Sequence, residues 1–183
     1  MKEIELISKR LRLRFINISD LEDIHILHSL PETDEYNTLG IPKNIEETRK
    51  IIAPWISDNH KKRPLHFTFA IEEKTTDQFI GLISLNLWKR KYQRGEIWYK
   101  LHKDHWGKGF APEALRCLLD FCFDELKLHR LEAGCAIDNT ASIRVLEKVG
   151  MNREGCKKKV LPLKSGWTDN FEYGILEENY VKG

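Results

Sequence analysis

Leu11-Arg12-Leu13-Arg14-Phe15 alternates apolar and basic residues, and this period of two predicts a half-buried strand. The period then lengthens. Leu21, Ile24, Leu27 and His28 recur at helical spacing, which predicts a helix capped by Ser19 or Asp20 and running to about Ser29. A turn-rich stretch around Pro31 and Gly40 leads to Asn44, a cap for a second helix from Ile45 to about Ser57 with Ile51, Ile52 and Trp55 on its apolar face. Three strand-like runs follow, His66 to Ile71, Phe79 to Trp88 and Glu96 to Leu101, and read as an antiparallel meander. A glycine-rich turn then opens a helix to about Leu126, striped by Leu115, Leu118, Leu119, Cys122 and Leu126. Arg130 to Ile137 predicts another strand. Asp138-Asn139 caps a short helix from about Thr140 to Val149, Gly150 supplies its left-handed stop, and Met151 to Lys159 with Trp167 to Leu176 form a closing hairpin. No repeat or linker interrupts this order, so one α/β (α+β) domain is expected over residues 1–183.

Composition narrows the class without changing the architecture. With 41% hydrophobic and 32% charged residues, the chain is expected to be globular rather than disordered or fibrous. No apolar run approaches the ~18 residues of a membrane span, and Met1-Lys2-Glu3-Ile4-Glu5 lacks the apolar stretch of a signal peptide. A cytoplasmic protein without a membrane partner is expected. Cys117, Cys122, Cys135 and Cys156 form no Cys-x-x-Cys pair and read as reduced thiols. A net charge of +2 does not by itself point to nucleic acid, and no direct nucleic-acid partner is expected. Local basic clusters stand at His60-Lys61-Lys62-Arg63, Lys89 to Arg94 and Lys157-Lys158-Lys159. The second reads as a solvated hairpin tip; binding of RNA or ribosome there would show as salt-sensitive affinity.

Trp106-Gly107-Lys108-Gly109-Phe110-Ala111, followed by Pro112, carries the most chemistry. Two glycines let backbone approach a ligand closely, and the unpaired N–H groups of the first helical turn favour an anion such as a pyrophosphate. Pro112 marks the helix start at Ala111 to Pro112, because a proline has no N–H to leave unsatisfied. Glu113 also complements the helix dipole and answers part of that positive field within the protein. A Walker loop is excluded, since four residues before a Gly-Lys-Ser/Thr are missing, and a dinucleotide fingerprint fails because Pro112 occupies its third glycine.

Taken in order, Glu96-Ile97-Trp98-Tyr99-Lys100-Leu101, the Trp-Gly-Lys-Gly-Phe-Ala loop, Glu113-Ala114-Leu115, Leu128-His129-Arg130-Leu131-Glu132, Asp138-Asn139-Thr140-Ala141-Ser142, and Leu146 through Met151 to Glu154-Gly155 resemble the RimJ/RimL branch of the GNAT N-acetyltransferases. The opening Lys9 to Arg14 and the closing Gly166-Trp167-x-Asp169 are similar too. The resemblance implies a GNAT fold, a mixed, mostly antiparallel, splayed sheet flanked by helices. It implies acetyl-CoA as cosubstrate, with pantetheine along Trp98, Tyr99, Lys100 and Leu101 and pyrophosphate at Gly107, Lys108, Gly109, Phe110 and Ala111.

Acetyl transfer to an amine needs a neutral nucleophile, donors for the oxyanion and a proton for the leaving thiolate. Backbone N–H groups of the strand can serve as donors, so Trp98 and Tyr99 are read mainly for their main chain. Asn139 is either a helix cap alone or also a pantetheine contact. Many GNAT enzymes carry a tyrosine seven positions later as the acid; Leu146 stands there. Ser142, which matches a serine of the RimJ/RimL pattern, is the replacement candidate, against a plain first-turn serine. Glu96 is the candidate base or a cross-strand partner of a cation, with Glu154 as second choice. A substrate α-amine has a pKa of about 7.7–8.0 against about 10.4 for lysine and needs less help from a base, which favours a protein N-terminus, a ribosomal protein included, over a polyamine or antibiotic amine. A non-catalytic acetyl-CoA sensor is the competing class. His25 and His28 share a helical face without a third ligand, so no metal is expected. His102 and His105 flank the loop as solvated residues or phosphate contacts. A monomer or homodimer is consistent with the chain.

Overall fold

The computed structural model describes residues 4–182; Met1, Lys2 and Glu3, which entered the reading against a signal peptide, and Gly183 lie outside them. Eight strands form one sheet in the order β1-β2-β3-β4-β5-β6-β8-β7. They are β1 (Glu5–Ile7), β2 (Leu11–Phe15), β3 (His66–Glu73), β4 (Phe79–Leu87), β5 (Arg94–Leu101), β6 (Arg130–Ala136), β7 (Asn152–Leu163) and β8 (Gly166–Leu176). All pairings are antiparallel except β5 with β6. The expected mixed, mostly antiparallel α/β sheet is therefore observed.

Helices cover both faces, because alternate residues of the meander point to opposite sides. On one face Leu21, Ile24 and Leu27 of α1 (Leu21–Ser29) and Ile52 of α3 (Ile45–Asn59) bury Ala70 and Leu82. Between α1 and α3 lies the short α2 (Pro31–Asp34). On the other face Leu115, Leu118 and Leu119 of α4 (Phe110–Asp120) pack on Leu13, Phe69, Ile71 and Ile83, and α5 (Thr140–Lys148) adds Leu146. No described helix is long and apolar enough to cross a membrane.

Several local expectations shift. Asp20 takes the N-cap position of α1 as expected but makes no side-chain cap bond there; the side-chain cap belongs to the 3-10 turn ahead of it, Ile18–Asp20, where Asn17 accepts from Ser19 N–H and the Asp20 carboxylate accepts from Asn17 N–H at 2.8 Å. The α4 stripe ends in a π-helical turn over Phe121–Glu125, which keeps Phe121, Cys122 and Phe123 buried together although they are consecutive in sequence. The edge strand β1 has no strong alternation of its own and forms by pairing with β2. Asn44 and Asn139 cap as expected, accepting from Glu47 N–H and Ser142 N–H at 3.0 Å each. Gly150 takes its left-handed stop at φ +91°.

Candidate active site

Strand β5 pairs with β4 from Gly95 to Leu101, but with β6 only where Arg94, Gly95 and Glu96 face Arg130, Leu131 and Glu132. Past Glu96 the two parallel strands part. The free edge of residues 97–101 borders a cleft of about 460 Å³, closed on the other side by the starts of α4 and α5. Tyr99, Lys100, Leu101, Gly107, Gly109, Phe110, Ala111, Asn139 and Ser142 line it, so nine expected site residues from three distant stretches meet in one place. Trp98, Lys108 and Glu96 are outside that lining. Trp98 instead packs across Trp55 at 5.7 Å, on the face covered by α1 and α3. The close fit of β4 to β5 depends on Gly81: a Cβ there would collide with the Lys100 carbonyl and the Leu101 Cα.

The loop before α4 turns on two left-handed glycines at a helix start, where N–H groups without helical partners favour an anion. Gly107 and Gly109 sit at φ +74° and +79°, a left-handed conformation that side chains resist. A Cβ at Gly107 would project into open space, leaving room for a ligand to approach. Gly109 caps α4, which begins at Phe110, one residue before the expected start. Glu113 does not lie free on the helix dipole. Its Oε1 accepts from Arg10 N–H at 2.7 Å and Ser8 Oγ at 2.8 Å, and its Oε2 accepts from Arg10 Nε at 2.7 Å. Arg10 continues to the Lys108 carbonyl at 3.1 Å and lies over the Phe110 ring at 4.5 Å. The carboxylate is thus answered by a guanidinium that also brings positive charge to the cradle; sequence reading missed this cation, and only its presence in the opening motif signalled it. His105 is buried against Phe110 rather than solvated, and burial lowers its pKa.

At the cleft's other wall the Asn139 oxygen is committed to Ser142 N–H, leaving the Asn139 amide group as the part that can meet a ligand. The Ser142 Oγ stands 2.8 Å from the Tyr99 hydroxyl. Burial pushes the Tyr99 phenol above its ordinary range, opposed by the bond to Ser142. Tyr99 is therefore more than main chain, a feature that no local pattern predicts, since 43 residues separate the two. Leu146 is buried in the core and offers no proton to the cleft.

Glu96 sits where the strands part. Its side chain is exposed, but neighbouring protein removes part of its hydration and Glu132, its register partner, adds like charge, so its pKa is raised. Glu154 is held by Arg130, which lowers its pKa and leaves it a poorer base than Glu96. On the α1 side Lys100 is buried, donates to His28 Nδ1 at 3.2 Å, and is lowered to about 8 by burial, against the raising influence of Asp34. His28 is lowered to about 3 by burial and by Lys100, while His25 bonds Thr48 Oγ1 at 2.8 Å. The two histidines are thus occupied separately. Among the described residues no group of three or more His, Cys, Asp or Glu is placed to hold a metal ion.

A splayed parallel pair thus lies beside a glycine turn at a helix start, within a mixed sheet covered by helices on both faces. The family model for the Acetyltransferase (GNAT) domain matches residues 10–152, and the chain belongs to that family. It is 31% identical over 96% of its length to an uncharacterized N-acetyltransferase, p20, of Bacillus licheniformis, covering 98% of that protein. A GNAT-family acetyltransferase of Bacillus anthracis superposes with a TM-score of 0.83 at 30% identity, with 96% and 99% of the two chains covered. A spermidine N(1)-acetyltransferase of Vibrio cholerae is 25% identical over 95% of this chain and 97% of its own. The protein is an acetyl-CoA-dependent N-acetyltransferase.

Proposed function

We propose that residues 1–183 form one cytoplasmic acetyltransferase domain of the RimJ/RimL type that acetylates a primary amine, with a protein or peptide N-terminal α-amine as the acceptor. The observation that carries the reading is the parting of β5 from β6 after Glu96, beside the cradle and the Tyr99–Ser142 pair. Open space at Gly107 and an unpaired strand edge fit a long anionic ligand with an amide-bearing arm.

Acetyl-CoA supplies an activated acetyl group as a thioester. The backbone N–H groups of Gly107 to Ala111 and the cationic Arg10 and Lys108 bind its phosphates; the edge at Trp98 to Leu101 pairs with its amide arm, which Asn139 also meets. N–H groups along that edge stabilise the developing oxyanion. Ser142 supplies a proton to the departing sulfur. Glu96 takes the proton shed by the acceptor through water, and its raised pKa moves it closer to neutrality as a base. A single, modest base suits an α-amine better than a lysine amine.

A polyamine acceptor is the second reading. It is favoured by the spermidine-acetylating relative and by Glu32 and Glu35 at the cleft, although Glu32 is paired with Lys103 at 2.7 Å. Thiol release from acetyl-CoA, measured across peptides with free N-termini, N-blocked lysine peptides and spermidine, separates the readings. Preference for free peptide N-termini supports the α-amine proposal; faster turnover of spermidine overturns it in favour of the second.

A further inference from the structure

We propose that Tyr99 is a positioning residue for the proton donor: its hydroxyl donates to Ser142 Oγ and leaves the single Ser142 proton free to meet the departing sulfur. The inference rests on the proposed role of Ser142. Its physical basis is the count of hydrogens at one oxygen. A serine hydroxyl has one proton, and every acceptor within reach competes for it. The Cys135 thiol also lies beside Ser142. If Ser142 spends its proton on any of these, it has none for the thiolate. A donor aimed at Oγ changes that balance by filling an acceptor lone pair, and it also stabilises the oxygen as its proton leaves.

Tyr99 is built for this task. Its position on β5 places the ring on the α5 side, opposite Trp98 and Lys100, and its hydroxyl meets Ser142 Oγ at 2.8 Å. Asn139 fixes the partner, because the cap from Asn139 Oδ1 to Ser142 N–H holds the first turn of α5 at that distance. The phenol, kept protonated by burial, has one hydrogen to give, and Ser142 Oγ at 2.8 Å is a nearer acceptor for it than the Ser142 carbonyl at 3.4 Å. Both side chains border the cleft. A phenol from the strand thus borders a cleft to which the buried Leu146 offers none, but it reaches the reacting atoms through Ser142.

As the acceptor nitrogen forms the new C–N bond, the C–S bond breaks with its electron pair on sulfur, and Ser142 gives sulfur its hydroxyl proton. The acceptor nitrogen sheds one proton, which passes through water to Glu96. Ser142 recovers one from water after the products leave, and Tyr99 keeps its own throughout.

The test is a double-mutant cycle on Tyr99→Phe and Ser142→Ala, read as kcat, acceptor KM, acetyl-CoA affinity and Tm. Tyr99→Phe is expected to lower kcat about tenfold, the size of one well-formed hydrogen bond, with KM and acetyl-CoA affinity within about twofold of the parent. In the Ser142→Ala background the same change is expected to have no further effect on kcat. Parental kcat in Tyr99→Phe, or an equal fractional loss in both backgrounds, overturns the inference, the latter by making Tyr99 a packing residue. Parental kcat in Ser142→Ala overturns the Ser142 reading itself, and the inference with it, a distinct outcome. If Tyr99→Phe loses its Tm, 3-fluorotyrosine at position 99 preserves the shape while making the phenol a stronger acid. An altered kcat with parental Tm supports the inference, and a parental kcat and pH profile overturns it.

Discussion

Arg10 Nε donates to Glu113 Oε2 at 2.7 Å, across 103 residues of chain, and the same guanidinium reaches the Lys108 carbonyl at 3.1 Å. This single side chain ties the turn between β1 and β2 to the first turn of α4. An acid at the start of a helix ordinarily competes with a bound anion for the positive end of the dipole. Here the acid is itself held by a cation and serves to orient it.

Arg10→Ala is therefore expected to weaken acetyl-CoA binding about tenfold at low salt, with the difference from the parent shrinking as ionic strength rises. Calorimetric titration at two salt concentrations checks it. Equal affinities at low salt would leave Arg10 as a surface partner of Glu113 only.

Gly109→Val should affect the cradle in two ways. The left-handed φ of +79° costs a branched residue roughly 1–2 kcal/mol, and with a Cβ already in ordinary contact at 3.5 Å from the Arg10 guanidinium, the methyl branches beyond it have to share the space of that side chain. Acetyl-CoA affinity is expected to fall by at least about tenfold while the chain remains folded by circular dichroism. Parental affinity would remove the cradle from the binding site.

Gly81→Ala tests whether the strand edge is held in place by its neighbour. The added methyl collides with backbone of Lys100 and Leu101, which cannot rotate away, and overpacking of this kind costs roughly 1–3 kcal/mol. A lower urea midpoint together with a higher acetyl-CoA Kd is expected, because the displaced segment is the cleft wall. An unchanged midpoint and Kd would mean that the strands separate there without consequence.

Lys100→Met should give a pH-dependent gain in stability. Lys100 falls from its ordinary 10.5 to about 8 on folding, so a burial cost is present in full below pH 8, where folded and unfolded forms are both charged. Above pH 8 the folded form sheds its proton first, stability rises with pH, and the cost is gone by about pH 10.5. That difference corresponds to on the order of 3 kcal/mol, less what Asp34 loses when its neighbouring charge is removed and the roughly 1–3 kcal/mol that His28 Nδ1 loses with its donor, a cost that does not vary over this pH range. Thermal unfolding of both forms should show the variant ahead at pH 7 and the gap closing towards pH 10; a gap independent of pH would trace the gain to packing instead of charge.

The sequence by itself determined what local physics controls. The period-two run at Leu11 to Phe15, the apolar strand-like runs that become β3 to β5, the apolar stripe of α4, the asparagine caps at 44 and 139 and the glycine stop at 150 each act within a few residues, and all form the elements expected of them. Nine residues that the family resemblance singled out line one cleft. The tertiary structure alone decided which side chains meet: Arg10 with Glu113, Tyr99 with Ser142, Lys100 with His28, and Phe110 against a buried His105. It decided, too, that β5 and β6 stay paired only as far as Glu96. The physical reason is distance along the chain. A cap or a period is satisfied by neighbours in sequence, whereas these contacts depend on sheet register and on the angle at which α4 and α5 dock, quantities set by the whole core rather than by any segment of it.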